Sequence, residues 1–148
     1  WRKTHEADLV CMLRDVRATS CADCLSTANG SREGAFLSAV NYSQALTRHS
    51  LSHEIGHNFG CPHDKDNAVC LGINRGPGPH VHWGYSWVHG NGRRYGTLMS
   101  YPGRRILHFS NPNVPYLGEP TGRPDRYKAA AIARTAPKLA AYRPLPGA

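Results

Sequence analysis

One twelve-residue stretch constrains this chain more than any other: His53-Glu54-Ile55-Gly56-His57-Asn58-Phe59-Gly60-Cys61-Pro62-His63-Asp64. Leu51, Ile55 and Phe59 fall at i, i+4 and i+8, while His49, His53 and His57 form a parallel stripe two residues away. Two residues correspond to about 200° of rotation on a helix. A helix over 47–59 is therefore expected to bury the apolar stripe and present imidazoles on the opposite side. Gly60 stands where a left-handed residue without Cβ ends such a helix and turns the chain sharply.

Imidazoles at i and i+4 lie one turn apart on the same face, so His53 and His57 can reach a single Zn²⁺ at about 2.0–2.1 Å. The bend at Gly60 carries His63 toward the same ion. Three neutral nitrogens leave a fourth position open for water, the arrangement of a catalytic rather than a structural zinc. Glu54 follows the first ligand directly, which puts its carboxylate beside the ion rather than on it. It is the expected general base for a zinc-bound water, accepting the proton and delivering it to a leaving amine. His49 on the same straight helix would lie about 12 Å from His57, too far to share a tetrahedral ion. His5, His80, His82, His89 and His108 are expected to be solvated or to pack in loops. Asp64 is expected to orient its neighbours.

The rest of the 148 residues suits one domain with one core. Ala7–Leu13, Cys21–Leu25 and Ala35–Tyr42 read as three short strands, with turn chemistry at 29–34. The glycine-rich stretch Gly76–Gly103 reads as irregular, with a short strand around Tyr85–Val88. Pro124–Tyr142 reads as a helix docked through Ile132, Leu139 and Tyr142 and kinked or shortened by Pro137. No run of about 18 apolar residues exists, so no membrane-spanning helix is expected. The net charge of +8 is scattered, and no nucleic-acid-binding pattern accompanies it. The chain begins at Trp1 without a basic segment leading into an apolar one, and reads as a processed product or a partial sequence. Of five cysteines, Cys61 and Cys70 bracket a polar loop that a disulfide could close in an oxidising compartment. Cys21 and Cys24, if in a strand, stand too far apart to pair.

The histidine stretch resembles the metzincin signature HExxHxxGxxH followed by Asp, and Gly96-Thr97-Leu98-Met99-Ser100-Tyr101 resembles the methionine turn of that family. Phe109–Val114 and Leu117–Gly122 look like bacterial reprolysin-like and peptidyl-Asp metallopeptidases. The resemblance implies an α+β, zincin-like fold: a small twisted sheet and an active-site helix, then an irregular C-terminal subdomain ending in a helix. It implies one catalytic domain over 1–148 divided near Gly60, with part of the usual N-terminal subdomain missing. It implies that Met99 underlies the histidines, that Cys21–Leu25 is an edge strand pairing with extended substrate, and that Tyr101 contacts the zinc or the developing oxyanion. The implied activity is hydrolysis of internal peptide bonds in proteins by a secreted, monomeric enzyme without nucleic-acid or membrane partners. Arg104 and Arg105, in the stretch that lines the S1′ pocket in this family, suggest an acidic P1′ residue. Two rival readings are a metzincin-like binding scaffold with structural zinc and a basic nucleic-acid-binding protein.

Overall fold

The computed structural model describes residues 4–5, 7–15, 20–22, 37–67 and 83–141. Among these, β1 (Val10–Arg14) and β3 (Leu37–Asn41) pair in parallel, and β2 (Cys21–Ala22) pairs antiparallel with the other side of β3. The order β1-β3-β2 leaves β2 at an edge. The three strands agree with the sequence reading, with shifted ends. Asp23, Cys24 and Leu25 lie outside the described residues, as do His80, His82, Cys70 and Tyr142.

Two helices follow β3, α1 (Tyr42–Thr47) and α2 (Ser50–Asn58). The helix expected over 47–59 is found as α2 but begins only at Ser50, because His49 has φ of 54° and ψ of 32°, a left-handed conformation that no α-helix interior accommodates; α1 before it is not expected from the sequence. His49 caps α2 instead of riding on it, and its carbonyl accepts the His53 amide at 3.1 Å.

The expected sidedness of α2 also needs correction. Leu51, Ile55 and Phe59 are only half-buried, whereas Ser50, His53, Glu54, Gly56, His57 and Asn58 are buried. The polar face is covered because the chain after Gly60 and the methionine turn fold back over it. Asn58 ties the helix to the sheet, donating from Nδ2 to the Leu37 carbonyl at 2.9 Å.

Gly76–Gly103 is not irregular apart from one strand, as its glycines suggest, for its described part forms most of a second sheet. In it β4 (Ser86–Val88) pairs antiparallel with β5 (Arg94–Gly96), and β6 (Arg104–Arg105) runs parallel to β5. The signal lies in Asn91-Gly92 between two aromatic segments, a strong hairpin indicator, and Gly92 indeed has φ of 78°. Trp87, Tyr95 and Ile106 form the core of this region, with Tyr85 and Tyr116 packed against it. A hairpin of β7 (Pro115–Tyr116) and β8 (Glu119–Pro120) follows. The last described element is α3 (Lys128–Ala140), which continues past Pro137. Leu139 docks as expected, but Ala131 and Lys128 rather than Ile132 share the buried face. Among the described residues the fold is α+β with small sheets and three α-helices, compatible with the expected zincin-like architecture.

The methionine turn is held from two sides. The Thr97 amide donates to the Tyr85 carbonyl at 2.9 Å, and the Leu98 amide to the His108 carbonyl at 2.9 Å. Gly84 lies directly against it: a Cβ there would stand 2.6 Å from the Met99 carbonyl oxygen and 2.9 Å from the Ser100 nitrogen. Backbone on both sides leaves no flexible side chain to yield. Gly84→Ala is therefore expected to destabilise the protein by about 1–3 kcal/mol, read as a lower thermal midpoint. An unchanged midpoint would show that this approach is looser than the distances imply.

Candidate metal centre and its cleft

Helix α2 supplies His53 and His57 one turn apart, and Gly60, with φ of 82°, reverses the chain so that His63 returns to the same point. The Nε2 atoms of His53 and His63 lie 2.9 Å apart, and those of His57 and His63 lie 3.0 Å apart. Each ring is turned by its other nitrogen. Nδ1–H of His53 donates to the Leu98 carbonyl at 2.8 Å, that of His57 to the Cys61 carbonyl at 2.8 Å, and that of His63 to the Asn67 carbonyl at 3.1 Å. A carbonyl can only accept, so these bonds put the proton of each neutral ring on Nδ1 and leave three bare Nε2 lone pairs facing one another.

Such a set suits a metal ion. Three nitrogens bound tetrahedrally to zinc stand about 3.3 Å from one another, close to the two separations from His63, and lone pairs this crowded repel unless a cation lies between them. Burial lowers the basicity of the rings as well. It brings the His53 imidazolium to a pKa of about 4, against the opposing bond to Leu98 and with help from the charges of His63, Arg105 and Lys128. His57 falls to about 3, again chiefly through burial, and His63 is lowered too. The three are neutral near pH 7, the form that coordinates metal. Among the described residues this is the one cluster of three ligand-type side chains able to hold an ion.

Met99 is fully buried beneath α2, where a Cβ on Gly56 would lie 2.8 Å from its Sδ and equally close to Phe109 Cε1. It packs under the histidine-bearing turn without belonging to the ligand cluster. Two residues on, the Tyr101 hydroxyl lies 3.1 Å from His63 Nε2 and can only donate to it, since that nitrogen carries no proton. Asp64 joins these parts. Its Oδ2 accepts the Tyr101 amide at 2.9 Å and its Oδ1 accepts from Asn67 Nδ2 at 2.7 Å. Burial pushes its carboxyl up, but these donors outweigh burial and hold it below the usual carboxylate range.

Glu54 is buried beside the histidines, and desolvation raises its carboxyl to about 7 against the opposing charge of Arg105. It lines a cleft of about 360 Å³ together with the three histidines, Tyr101 and Arg105. Cys21 and Ala22 of β2 form another wall, and Arg48 and Gln44 come from α1 and the break that follows it. Arg105 is half-buried and donates from Nη1 to the Arg48 carbonyl at 2.8 Å.

Among the described residues, the remaining histidines fall outside this cluster. His5 is exposed, and His89 lies in the second sheet region, 3.9 Å from the Glu119 carboxylate. Cys61 is a free thiol, fully buried, and burial pushes its pKa up. Its suggested partner Cys70 is outside the described residues. Sequence reasoning passes over Lys128, which is fully buried near Cys61 and Asp64. Nothing in an alanine-rich helical segment marks one lysine as internal. Arg48 escapes for a similar reason, because only the break at His49 brings it to the cleft.

The chain is 31% identical over 102 residues to a peptidyl-Asp metalloendopeptidase of Stenotrophomonas maltophilia strain R551-3, covering 66% of this chain and 23% of that protein. It is 30% identical over 125 residues to the protein of the same name from strain K279a, covering 82% of this chain and 28% of that one. The chain thus spans about a quarter of the length of these curated relatives. No solved structure matches it. Peptidases of family M12 are zinc-dependent, and the three-histidine cluster is able to hold that ion. The family model described as metallo-peptidase family M12 matches residues 1–110, and the chain belongs to that family.

Proposed function

We propose that this chain is the catalytic part of a zinc-dependent endopeptidase, with His53, His57 and His63 as the metal ligands and Glu54 as the general base. The observation that carries this is the meeting of three bare Nε2 atoms in a cleft that also holds a buried carboxyl outside their cluster. The three histidines would hold zinc, which when bound would supply Lewis acidity toward a scissile carbonyl and a water molecule. Everything else falls to the chain's own groups. An extended peptide can lie along the free edge of β2, where backbone groups of Cys21 and Ala22 offer strand pairing. Glu54, with its carboxyl raised to about 7, is basic enough to take a proton from the attacking water and acidic enough to pass it to the leaving amine. Tyr101, already 3.1 Å from a ligand nitrogen, can turn its hydroxyl toward the oxyanion as charge develops there.

Substrate choice follows from the cationic wall. Of the two arginines after the methionine turn, Arg105 lines the cleft, whereas Arg104, one residue earlier on the same strand, is exposed and does not line it. Arg48 adds a second guanidinium to the same space. An acidic side chain at P1′ fits between these charges and the reacting carbonyl. The two relatives carry peptidyl-Asp in their names, which is consistent with this preference. We assign residues 1–148 to one catalytic domain with its subdomain division near Gly60, acting on proteins outside the cell as a monomer.

Casein hydrolysis should be lost on chelation and restored by zinc. Glu54→Gln should keep zinc bound and lower kcat by about 10²- to 10⁴-fold, as measured by turnover beside metal analysis. Wild-type turnover in that variant would refute the role of Glu54. Arg105→Ala should reduce kcat/KM for peptides with Asp at P1′ more than for those with Ala there. Profiling a peptide library by mass spectrometry reads this directly, and an apolar P1′ preference in the wild type would end the acidic assignment.

A further inference from the structure

Lys128 opens α3 and is completely buried, a position that a lysine side chain takes only when a partner awaits it. Its Nζ donates to the Pro62 carbonyl, the residue immediately before the third histidine. Seven residues along, Thr135 Oγ1 lies 2.9 Å from the Phe59 carbonyl and 3.0 Å from the Ala131 carbonyl of its own helix, so its one proton is shared between them. Seven residues are about two helical turns, so both donors leave the same face of α3, and the small buried Ala131 between them allows close approach.

The two carbonyls belong to the chain between the second and third histidines. There α2 closes its own last groups, with the Gly60 amide on the His57 carbonyl at 2.7 Å and the Cys61 amide on the Gly56 carbonyl at 2.9 Å. Phe59 and Pro62 carbonyls lie beyond these, and α3 satisfies both. The helix is itself anchored: the Lys128 amide donates to Ser110 Oγ at 3.1 Å, and Ser110 Oγ donates to the Trp83 carbonyl at 3.1 Å. The path from His57 to His63 is therefore fixed from outside α2. A positive donor suits the place, because the C-terminal end of α2 carries partial negative charge and a charged donor bonds more strongly than a neutral one.

We propose that Lys128 is a positioning residue for the metal centre, clamping the loop that carries His63 so that its Nε2 meets those of His53 and His57. This rests on the three histidines being the metal ligands. The sign of the effect separates geometry from charge. A buried cation near a cation site opposes metal binding, so removing its charge alone would tighten zinc, whereas losing the clamp would loosen it.

The test is a double-mutant cycle on the full chain, with zinc affinity measured by competition against a chromogenic chelator. Lys128→Met, of similar length and without a donor, should weaken zinc by about 10- to 100-fold. In a His63→Ala background the same substitution should change affinity by no more than about twofold, because the arm it positions is gone. Unchanged or tighter zinc binding by Lys128→Met overturns the proposal, and so does an equal weakening in both backgrounds, which would mark a merely structural lysine. If His63→Ala itself leaves zinc affinity unchanged, the ligand assignment fails instead. Should Lys128→Met not fold by far-ultraviolet circular dichroism, Thr135→Val enters the same cycle with the same criteria and a smaller expected loss.

Discussion

Three imidazole nitrogens, with that of His63 about 3 Å from each of the other two, form an arrangement no apolar core would choose, and the architecture of this protein is organised around maintaining it. Bare lone pairs repel, and burial removes the easiest relief, which is protonation of one ring. What holds them is a set of three hydrogen bonds from Nδ1 to carbonyls in different segments: the methionine turn, the exit from α2, and the short 3-10 turn after His63. Displacing any of these segments rotates a ring. The geometry of an ion is thus encoded in the relative placement of three pieces of backbone, which explains why so many side chains nearby serve to fix backbone rather than to fill space.

The buried face of α2 shows how that placement is reached. A helix packs its apolar side inward unless something else can satisfy its polar side. Here the polar side meets carbonyls, a thioether and a tyrosine. Close approach depends on missing side chains: Gly56 leaves room for Met99 and Phe109 beneath the ligand turn, and Gly84 lets the backbone before β4 rest on the methionine turn. Asp64 then ties the loop of the third histidine to the backbone of Tyr101. Packing in this region acts mainly to hold direction, and the apolar stripe of Leu51, Ile55 and Phe59 is left only half-buried as a result.

The centre is more legible in the sequence than the fold around it, for a physical reason. Residues four apart on a helix must share a face, and a glycine after the helix must turn, so His53, His57 and His63 can be brought together from local geometry alone. The strand ends are nearly legible because short apolar runs mark them. The break at His49 is not, since a histidine with positive φ looks like any other in the row. The second sheet is hidden by its glycines, which read as loop although Asn91-Gly92 joins two strands. Least visible are Lys128 and Arg48. Their roles arise from where distant segments come to rest, and no periodicity within their own segments reports that.

Desolvation sets the chemistry of the cleft by acting in opposite senses on groups of opposite charge. It lowers the pKa of the histidines, because a buried imidazolium loses its hydration, and raises that of Glu54, because a buried carboxylate does. Near pH 7 the same environment therefore gives neutral nitrogens suited to a cation and a carboxyl poised between its two forms. Arg105 tempers the second effect by favouring the ionised carboxylate, and under the proposed acidic preference it is the charge that a substrate carboxylate would partly neutralise. Arrival of such a substrate would weaken that stabilisation of the carboxylate and make Glu54 a stronger base. On the proposed function, recognition and proton transfer would be linked through one guanidinium, which donates to the Arg48 carbonyl at the helix break that the sequence does not reveal.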